Sequence, residues 1–349
     1  MAVTFELRQQ DYSLTDDQKD LRRAFSDYFA HAVGSARVRA AEPLGHDFTL
    51  WQELHHAQQV VAMGLPEAFG GAGAGLVDLA LVVEEAGRRA APVPLVDAIV
   101  AARALARLAP TTELFGRARD SSAIATVAPG LGGSGPRLVP AGAVAEAVIA
   151  LHGDDVVLVT GPPAPLVPNM GYLPIAWWDL SDHACDVSVI GCAVDFASVE
   201  NEWRLLTAAA LVGLGQAALD LGVRYATERS AFGTAIGSFQ AIAHPLVDAV
   251  SAVESARRLL WRAAWHADDE PSSSGHLGTS ALLAAASAAE RAGAVAIHTQ
   301  GGFGVTLESD VQLYYRRAKG LALLAGDRRT LLRDVADQLL GPTPEGVLR

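Results

Sequence analysis

Two stretches hold the residue types that chemistry needs. The first, Glu228-Arg229-Ser230-Ala231-Phe232-Gly233-Thr234-Ala235-Ile236-Gly237-Ser238-Phe239-Gln240, is a short break between two long segments. The run from Leu205 to Thr227 before it is apolar, alanine-rich and free of proline. After it, Ile242, Leu246, Val250, Val253 and Leu260 recur at the spacing of one helical face. An arginine, two aromatics, two glycines and a glutamine where two helices turn back on each other can hold a flat, phosphate-bearing cofactor. The same residues also suit a plain connection. Gly233 and Gly237 permit positive φ, Ser238 can cap the next helix, and Arg229 can be a solvated charge at a helix C-terminus.

The second stretch is His298-Thr299-Gln300-Gly301-Gly302-Phe303-Gly304-Val305-Thr306-Leu307-Glu308. Three glycines within four residues end one helix and start the next, leaving N–H groups free beside polar side chains. A helix cap accounts for one glycine; three suit a close ligand approach as well as a turn. A third glycine-rich segment, Gly64 to Gly73, precedes the apolar run Leu76 to Gly87. No strand comes before it, so the context of a dinucleotide fingerprint is missing and a loop joining two helices is the better reading.

The elements that must position these stretches follow from periodicity. From Thr15 to about Ala109 the pattern is helical: Asp16, Asp17 and Asp20 favour a first helix start, Leu21, Phe25, Tyr28 and Phe29 form its stripe, and a second helix covers Leu50 to Met63. Between about Ser121 and Val199 short β-prone runs take over, at Ala123 to Val127, Ala147 to Leu151, Val156 to Val159 and Asp186 to Ile190. They predict a small antiparallel sheet. The remainder returns to four long helices, Asn201 to Thr227, Phe239 to Ala267, Gly278 to His298 and Thr306 to Leu340. Pro245 either kinks the second of these or moves its start to about His244. The predicted class is α+β, mostly α, with an N-terminal all-α domain (1–112), a middle β domain (113–200) and a C-terminal antiparallel four-helix bundle (201–349).

Composition bounds the partners. The 349 residues, 50% hydrophobic, can bury a large interior, and a formal net charge of -12 argues against nucleic acid or an anionic membrane. No uninterrupted apolar run reaches a membrane span, and the N-terminus lacks the order of a secretory signal, so a soluble cytoplasmic protein is expected. The only cysteines, Cys185 and Cys192, read as reduced strand residues, too few for a metal cage.

The pattern Arg-x-x-Phe-Gly-x-x-Ile-Gly-x-Phe-Gln at 229–240 resembles the signature of the acyl-CoA dehydrogenases, whose arginine and glutamine at these places reach the FAD of a neighbouring subunit. The resemblance implies that Arg229 faces the FAD pyrophosphate, Phe232 packs beside the flavin or its ribityl chain, and Gln240 lies near the adenosine half. Leu65-Pro66-Glu67 with Gly70-Gly71-x-Gly73 and the helix holding Glu84-Glu85 is similar to the family's N-terminal domain, where that loop is architectural. His298, Gln300, Gly301, Gly302 and Gly304, followed by Tyr314-Tyr315-Arg316-Arg317-Ala318-Lys319, resemble the family's C-terminal pattern, with histidine and glutamine in exchanged order.

Two features depart from that pattern. Where the family has a Thr-Glu-x-x-x-Gly-Ser type flavin-binding strand, this chain has Pro129-Gly130-Leu131-Gly132-Gly133-Ser134-Gly135-Pro136. The family's reaction also needs a carboxylate to take the α-proton of a thioester while a hydride leaves the β-carbon for the flavin. At one usual place for that glutamate the chain reads Leu324-Ala325-Gly326-Asp327, with alanine aligned, and at the other it has Trp203. Glu202 and Asp327 are the nearest substitutes.

An intact partner-facing signature without a placed base resembles the smaller, non-catalytic subunit of heteromeric (α2β2) actinobacterial acyl-CoA dehydrogenases that oxidise steroid side-chain CoA thioesters. That implies FAD shared with a larger subunit, an acyl-CoA substrate, and an electron-transfer flavoprotein as acceptor. The alternatives are a self-sufficient homo-oligomeric dehydrogenase with a displaced base, and a flavin-free scaffold of the same fold.

Overall fold

The computed structural model describes residues 12–130, 135–179, 185–270 and 275–341. Seven helices form the N-terminal layer: α1 (Asp16–Ala32), α2 (Ser35–Ala40), α3 (Phe48–Gln58), α4 (Val60–Met63), α5 (Leu76–Arg88), α6 (Leu95–Leu108) and α7 (Glu113–Arg119). Thr15 starts α1 through a capping box with Gln18, which fits the acidic first turn read in the sequence. The segment expected as one helix over Leu50 to Met63 is α3 plus α4, because Gln59 adopts a left-handed φ of 48° and breaks the ladder. Helix α7 begins immediately after the domain boundary expected at 112.

The middle region holds β1 (Ala125–Ala128), β2 (Pro136–Val139), β3 (Ala147–His152), β4 (Asp155–Thr160), β5 (Ala176–Asp179) and β6 (Asp186–Cys192). The four runs picked out in the sequence form one sheet, in the order β1-β3-β4-β6. It is mixed rather than antiparallel: β1 pairs parallel with β3, from Ala125 beside Ala147 to Ala128 beside Ala150. The chain returns between them through β2, which leaves to pair antiparallel with β5. Neither β2 nor β5 was visible as a strand, since each is only four residues long and Pro136 opens β2. Neither cysteine is in a disulfide; Cys192 ends β6 and Cys185 sits just before it. Of the glycine-rich stretch at 129–136, residues 131–134 lie outside the described residues.

The rest is helical: α8 (Ala193–Glu228), the short hairpin β7 (Ser230–Ala231) and β8 (Thr234–Ala235), α9 (Gln240–Asp269), α10 (Gly275–Gln300), α11 (Val311–Leu324) and α12 (Arg328–Leu340). Helix α8 begins eight residues before the boundary expected at Asn201. Helix α9 starts at Gln240 and runs through Pro245, so the proline costs only the bond to the Ala241 carbonyl instead of delaying the start. The helix expected over Thr306 to Leu340 is divided at residues 325–327, where the Asp327 side chain caps α12.

Small residues set the helix directions. A methyl group on Gly215 would touch Ala289 at 3.0 Å and Val253 at 3.4 Å; on Gly222 it would touch Ala296 at 3.0 Å and Leu246 at 3.4 Å. Partner numbers rise along α10 and fall along α9, so α8 runs parallel to α10 and antiparallel to α9. Two stretches among the described residues, α8 and Gly275–Val305, are long and on average apolar enough to cross a bilayer, although neither is an uninterrupted apolar run. In α8 that apolarity is used inside the fold, with 72% of its most hydrophobic window buried against neighbouring elements.

Candidate functional site

The parallel course of α8 and α10 brings the two glycine-bearing stretches together. Both helices end at the same face of the bundle, α8 at Glu228 and α10 at Gln300, and α9 begins there at Gln240. Arg229, the residue after α8, is exposed, and no carboxylate pairs with its guanidinium among the described residues. Residues 230–235 form a two-residue hairpin, Ser230 beside Ala235 and Ala231 beside Thr234. Its turn residues, Phe232 and Gly233, have φ of 53° and 84°. Positive φ at both central positions is the twist that a two-residue hairpin demands, and it is costly for a phenylalanine. The Phe232 ring is 97% exposed, edge-on to Phe239 at 6.2 Å.

Gln240 is exposed in the first turn of the 30-residue α9, whose leading amides and dipole favour an anion. On the α10 side His298 is exposed, whereas Gln300 Oε1 accepts from Ser309 Oγ at 2.7 Å. Of the exchanged pair, His298 is therefore the side chain left facing outward. Gly301, at φ 62°, and Gly302 have open space where a side chain would be. Gly304 is different: a methyl group there would meet the Ile297 carbonyl at 2.6 Å, so packing of the loop on α10 requires that glycine. A free arginine, a helix N-terminus and open glycines fit a pyrophosphate-bearing cofactor such as FAD.

A second feature lies deeper. A cleft with about 100 Å³ of enclosed space opens where α5, α6, the β domain, α8 and α11 meet. Its walls are mainly apolar, but Asp97 lines it, with Oδ1 accepting from Trp203 Nε1 at 2.9 Å. Burial raises the Asp97 carboxyl to about 6, against the smaller opposing effect of that indole N–H. Across the cleft the buried Arg317 donates to the Ala90 carbonyl at 2.9 Å and the Tyr172 carbonyl at 3.5 Å, and burial brings it down to about 10. Leu214 is the cleft residue farthest along α8, and the 15 positions from there to Arg229 span about 22 Å at the α-helical rise.

Two family models match the sequence: the acyl-CoA dehydrogenase N-terminal domain over residues 15–116 and the acyl-CoA dehydrogenase C-terminal domain over residues 196–340. The chain belongs to the acyl-CoA dehydrogenase family. It is 33% identical over 328 residues to the acyl-CoA dehydrogenase IpdE2 of Mycolicibacterium smegmatis, covering 92% of this chain and 98% of that one. The IpdE2 of Mycobacterium tuberculosis is 30% identical, at 93% and 98% coverage. Among solved structures, the ChsE4-ChsE5 complex from Mycobacterium tuberculosis superposes with a TM-score of 0.86 at 25% identity, covering 96% of this chain and all of that one. The steroid ACAD Tcur3481-Tcur3483 gives 0.83 at 27%, with 93% and 98% covered.

Within this dehydrogenase fold the two substitute bases stand away from the cleft wall. Glu202 precedes the cleft residue Trp203, and the 100° turn between neighbours on a helix sends it to α6 instead. There it is buried, held by Arg103 Nε at 2.9 Å and Arg107 Nη1 at 2.5 Å. Asp327 caps α12 by accepting from the Thr330 amide at 2.9 Å, which holds its carboxyl below the usual range and makes it a poorer proton acceptor. The glycine-rich loop at 64–73 spends its amides internally, Gly73 on the Leu65 carbonyl and Ala74 on that of Met63, and so offers no phosphate cradle. Sequence reasoning missed Asp97 and Arg317. The one available signal was a lone carboxylate two residues into the apolar run that starts at Leu95.

Proposed function

We propose that this chain is a non-catalytic subunit of an FAD-dependent acyl-CoA dehydrogenase, completing the FAD site of a larger partner subunit in an α2β2 assembly. The supporting observation is the outward-facing cradle of Arg229, Phe232, Gln240 and His298 beside the open glycines Gly301 and Gly302, about 22 Å along α8 from the chain's own cleft. At that distance the cradle serves a flavin seated against another polypeptide. Arg229 and the α9 N-terminus neutralise its pyrophosphate, and the Phe232 ring covers its ribityl side and excludes water. Bound FAD supplies the hydride acceptor for α,β-dehydrogenation of a CoA thioester; the partner contributes the carboxylate that takes the α-proton. The likeness to IpdE2 and to the steroid ACAD supports a steroid-derived acyl group, with electrons passed to an electron-transfer flavoprotein.

The test is co-expression with the candidate larger subunit and, separately, expression alone. The pair is expected to purify yellow and active, the single chain colourless. Arg229→Ala is expected to lower the flavin content of the pair at least tenfold at micromolar FAD, the effect of losing roughly 1.5–3 kcal/mol of charge-assisted bonding, with helicity unchanged. A lone chain that carries stoichiometric FAD and desaturates a thioester would overturn the division of labour.

A further inference from the structure

The loop at 301–308 beside the cradle is held mainly from its two ends. Its larger apolar side chains are turned to solvent, with Phe303 47% exposed, Val305 69% and Leu307 72%, so burial of its own residues contributes little to its order. Glycines at 301, 302 and 304 add chain freedom that something must remove. Ser309, 1% exposed, donates from Oγ to Gln300 Oε1 at 2.7 Å and accepts at the same oxygen from the Val311 amide at 3.3 Å. One hydroxyl thus ties the end of α10 to the start of α11 across the base of the loop. Arg39, on α2 in the N-terminal layer, donates from Nη2 to the Ser309 carbonyl at 3.2 Å and to Asp310 Oδ1 at 3.0 Å. Within the loop, Thr306 folds back on the Phe303 carbonyl through its amide and its hydroxyl, each at 3.0 Å.

We propose that Ser309 and Arg39 are positioning residues of the cofactor cradle: together they fix the loop at 301–308, with its open glycines Gly301 and Gly302, in the shape that receives FAD before FAD arrives. The inference rests on the subunit reading for the identity of the ligand. Its physical content is preorganisation. A loop that is ordered only on binding lowers the apparent affinity by the fraction of time it spends in the competent shape, and a loop pinned beforehand does not. The two residues act on the loop separately from the packing of the layers, because α2 and the residues after it have a second attachment to α11. Arg316 Nη2 donates to Glu42 Oε1 at 3.1 Å, three positions along the chain from Arg39. Loss of Arg39 therefore releases the end of the loop and leaves this segment seated on α11.

The test uses the assembled pair, stripped of flavin and titrated with FAD, alongside amide hydrogen exchange over residues 301–308. Ser309→Ala and Arg39→Ala are each expected to raise the Kd for FAD by about fivefold or more, the scale of one lost hydrogen bond to a charged or buried partner. Exchange at 301–308 is expected to quicken in both variants, while turnover per bound flavin stays at the wild-type value. Arg39→Lys keeps a charged donor and is expected to recover part of the lost affinity, which a purely architectural arginine would not require. If Ser309→Ala does not fold, the half-buried Arg39 carries the test alone. Unchanged FAD affinity in the variants, weakened affinity without faster exchange at 301–308, or a fall in turnover per flavin that matches the loss of affinity overturns the proposal. A wild-type pair that takes up no FAD ends the subunit reading and this inference with it. A wild-type pair that does, with variants that bind FAD equally well, ends this inference alone.

Discussion

Replacing Glu202 by glutamine separates a proton-abstracting carboxylate from a structural one. Glu202 is 6% exposed and receives Arg103 Nε at 2.9 Å, Arg103 Nη2 at 3.4 Å and Arg107 Nη1 at 2.5 Å. Both arginines come from α6, one turn apart, and Arg103 also donates to the Gly64 carbonyl at 2.6 Å. The cluster therefore ties α8 to α6 and to the loop before α5. Removing one partner of a buried ion pair costs about 3–5 kcal/mol, because the surviving charge is left uncompensated. Glutamine keeps the shape and one acceptor oxygen, which retains about half of the bonding and leaves a cost of about 1.5–2.5 kcal/mol. With an unfolding entropy of about 2.1 cal/mol/K per residue, a chain this long has roughly 0.7 kcal/mol/K at its midpoint, so Tm falls by about 2–3.5 °C. Calorimetry on the chain reads that shift, and turnover per bound flavin in the assembled complex reads the chemistry. The expected result is a lower Tm with turnover unchanged. A Tm that does not move, together with turnover down by about a hundredfold or more, the scale of a lost general base, would refute the structural assignment.

Two further perturbations test the scaffold. A methyl group on Gly213 would lie 2.1 Å from the Glu84 carbonyl, where α8 crosses α5. Gly213→Ala should therefore destabilise the chain by about 1–3 kcal/mol, the usual cost of overpacking, in urea unfolding; an unchanged midpoint would mean that the two helices are not in that contact. His46 is buried, edge-on to Phe48 at 4.4 Å, and burial lowers it from 6.5 to about 4. Its folded value lies below its unfolded one, so the unfolded chain takes up the proton first as pH falls. Stability is full above about pH 6.5 and declines by about 3 kcal/mol on the way to pH 4. Stability measured across that window should lose this slope in His46→Phe, and an identical slope in the variant would place the titration elsewhere.

Much of this was legible from residue order alone. The arginine-to-glutamine pattern at 229–240 and the glycines at 301–304 are local, and so are the helical stripes around them, because a period of 3.6 is written within a few turns of chain. The hairpin turn was legible only in part: Gly233 takes the positive φ that its missing side chain permits, whereas the positive φ of Phe232 is imposed by the hairpin and not by its residue type. What periodicity cannot carry is which distant segments meet. Only the folded chain decided that α8 and α10 run parallel, and hence that two stretches some 70 residues apart share one end of the bundle. It decided that β1 and β3 pair in parallel around an excursion to β2, since strand direction depends on where the chain returns and not on alternation within a run. It separated Glu202, turned toward two arginines on α6, from Trp203 beside it, turned toward the cleft. And it made Asp97, one carboxylate among many in the sequence, the one set into an apolar wall, because burial and partners are properties of surroundings that a residue's own neighbours in sequence do not supply.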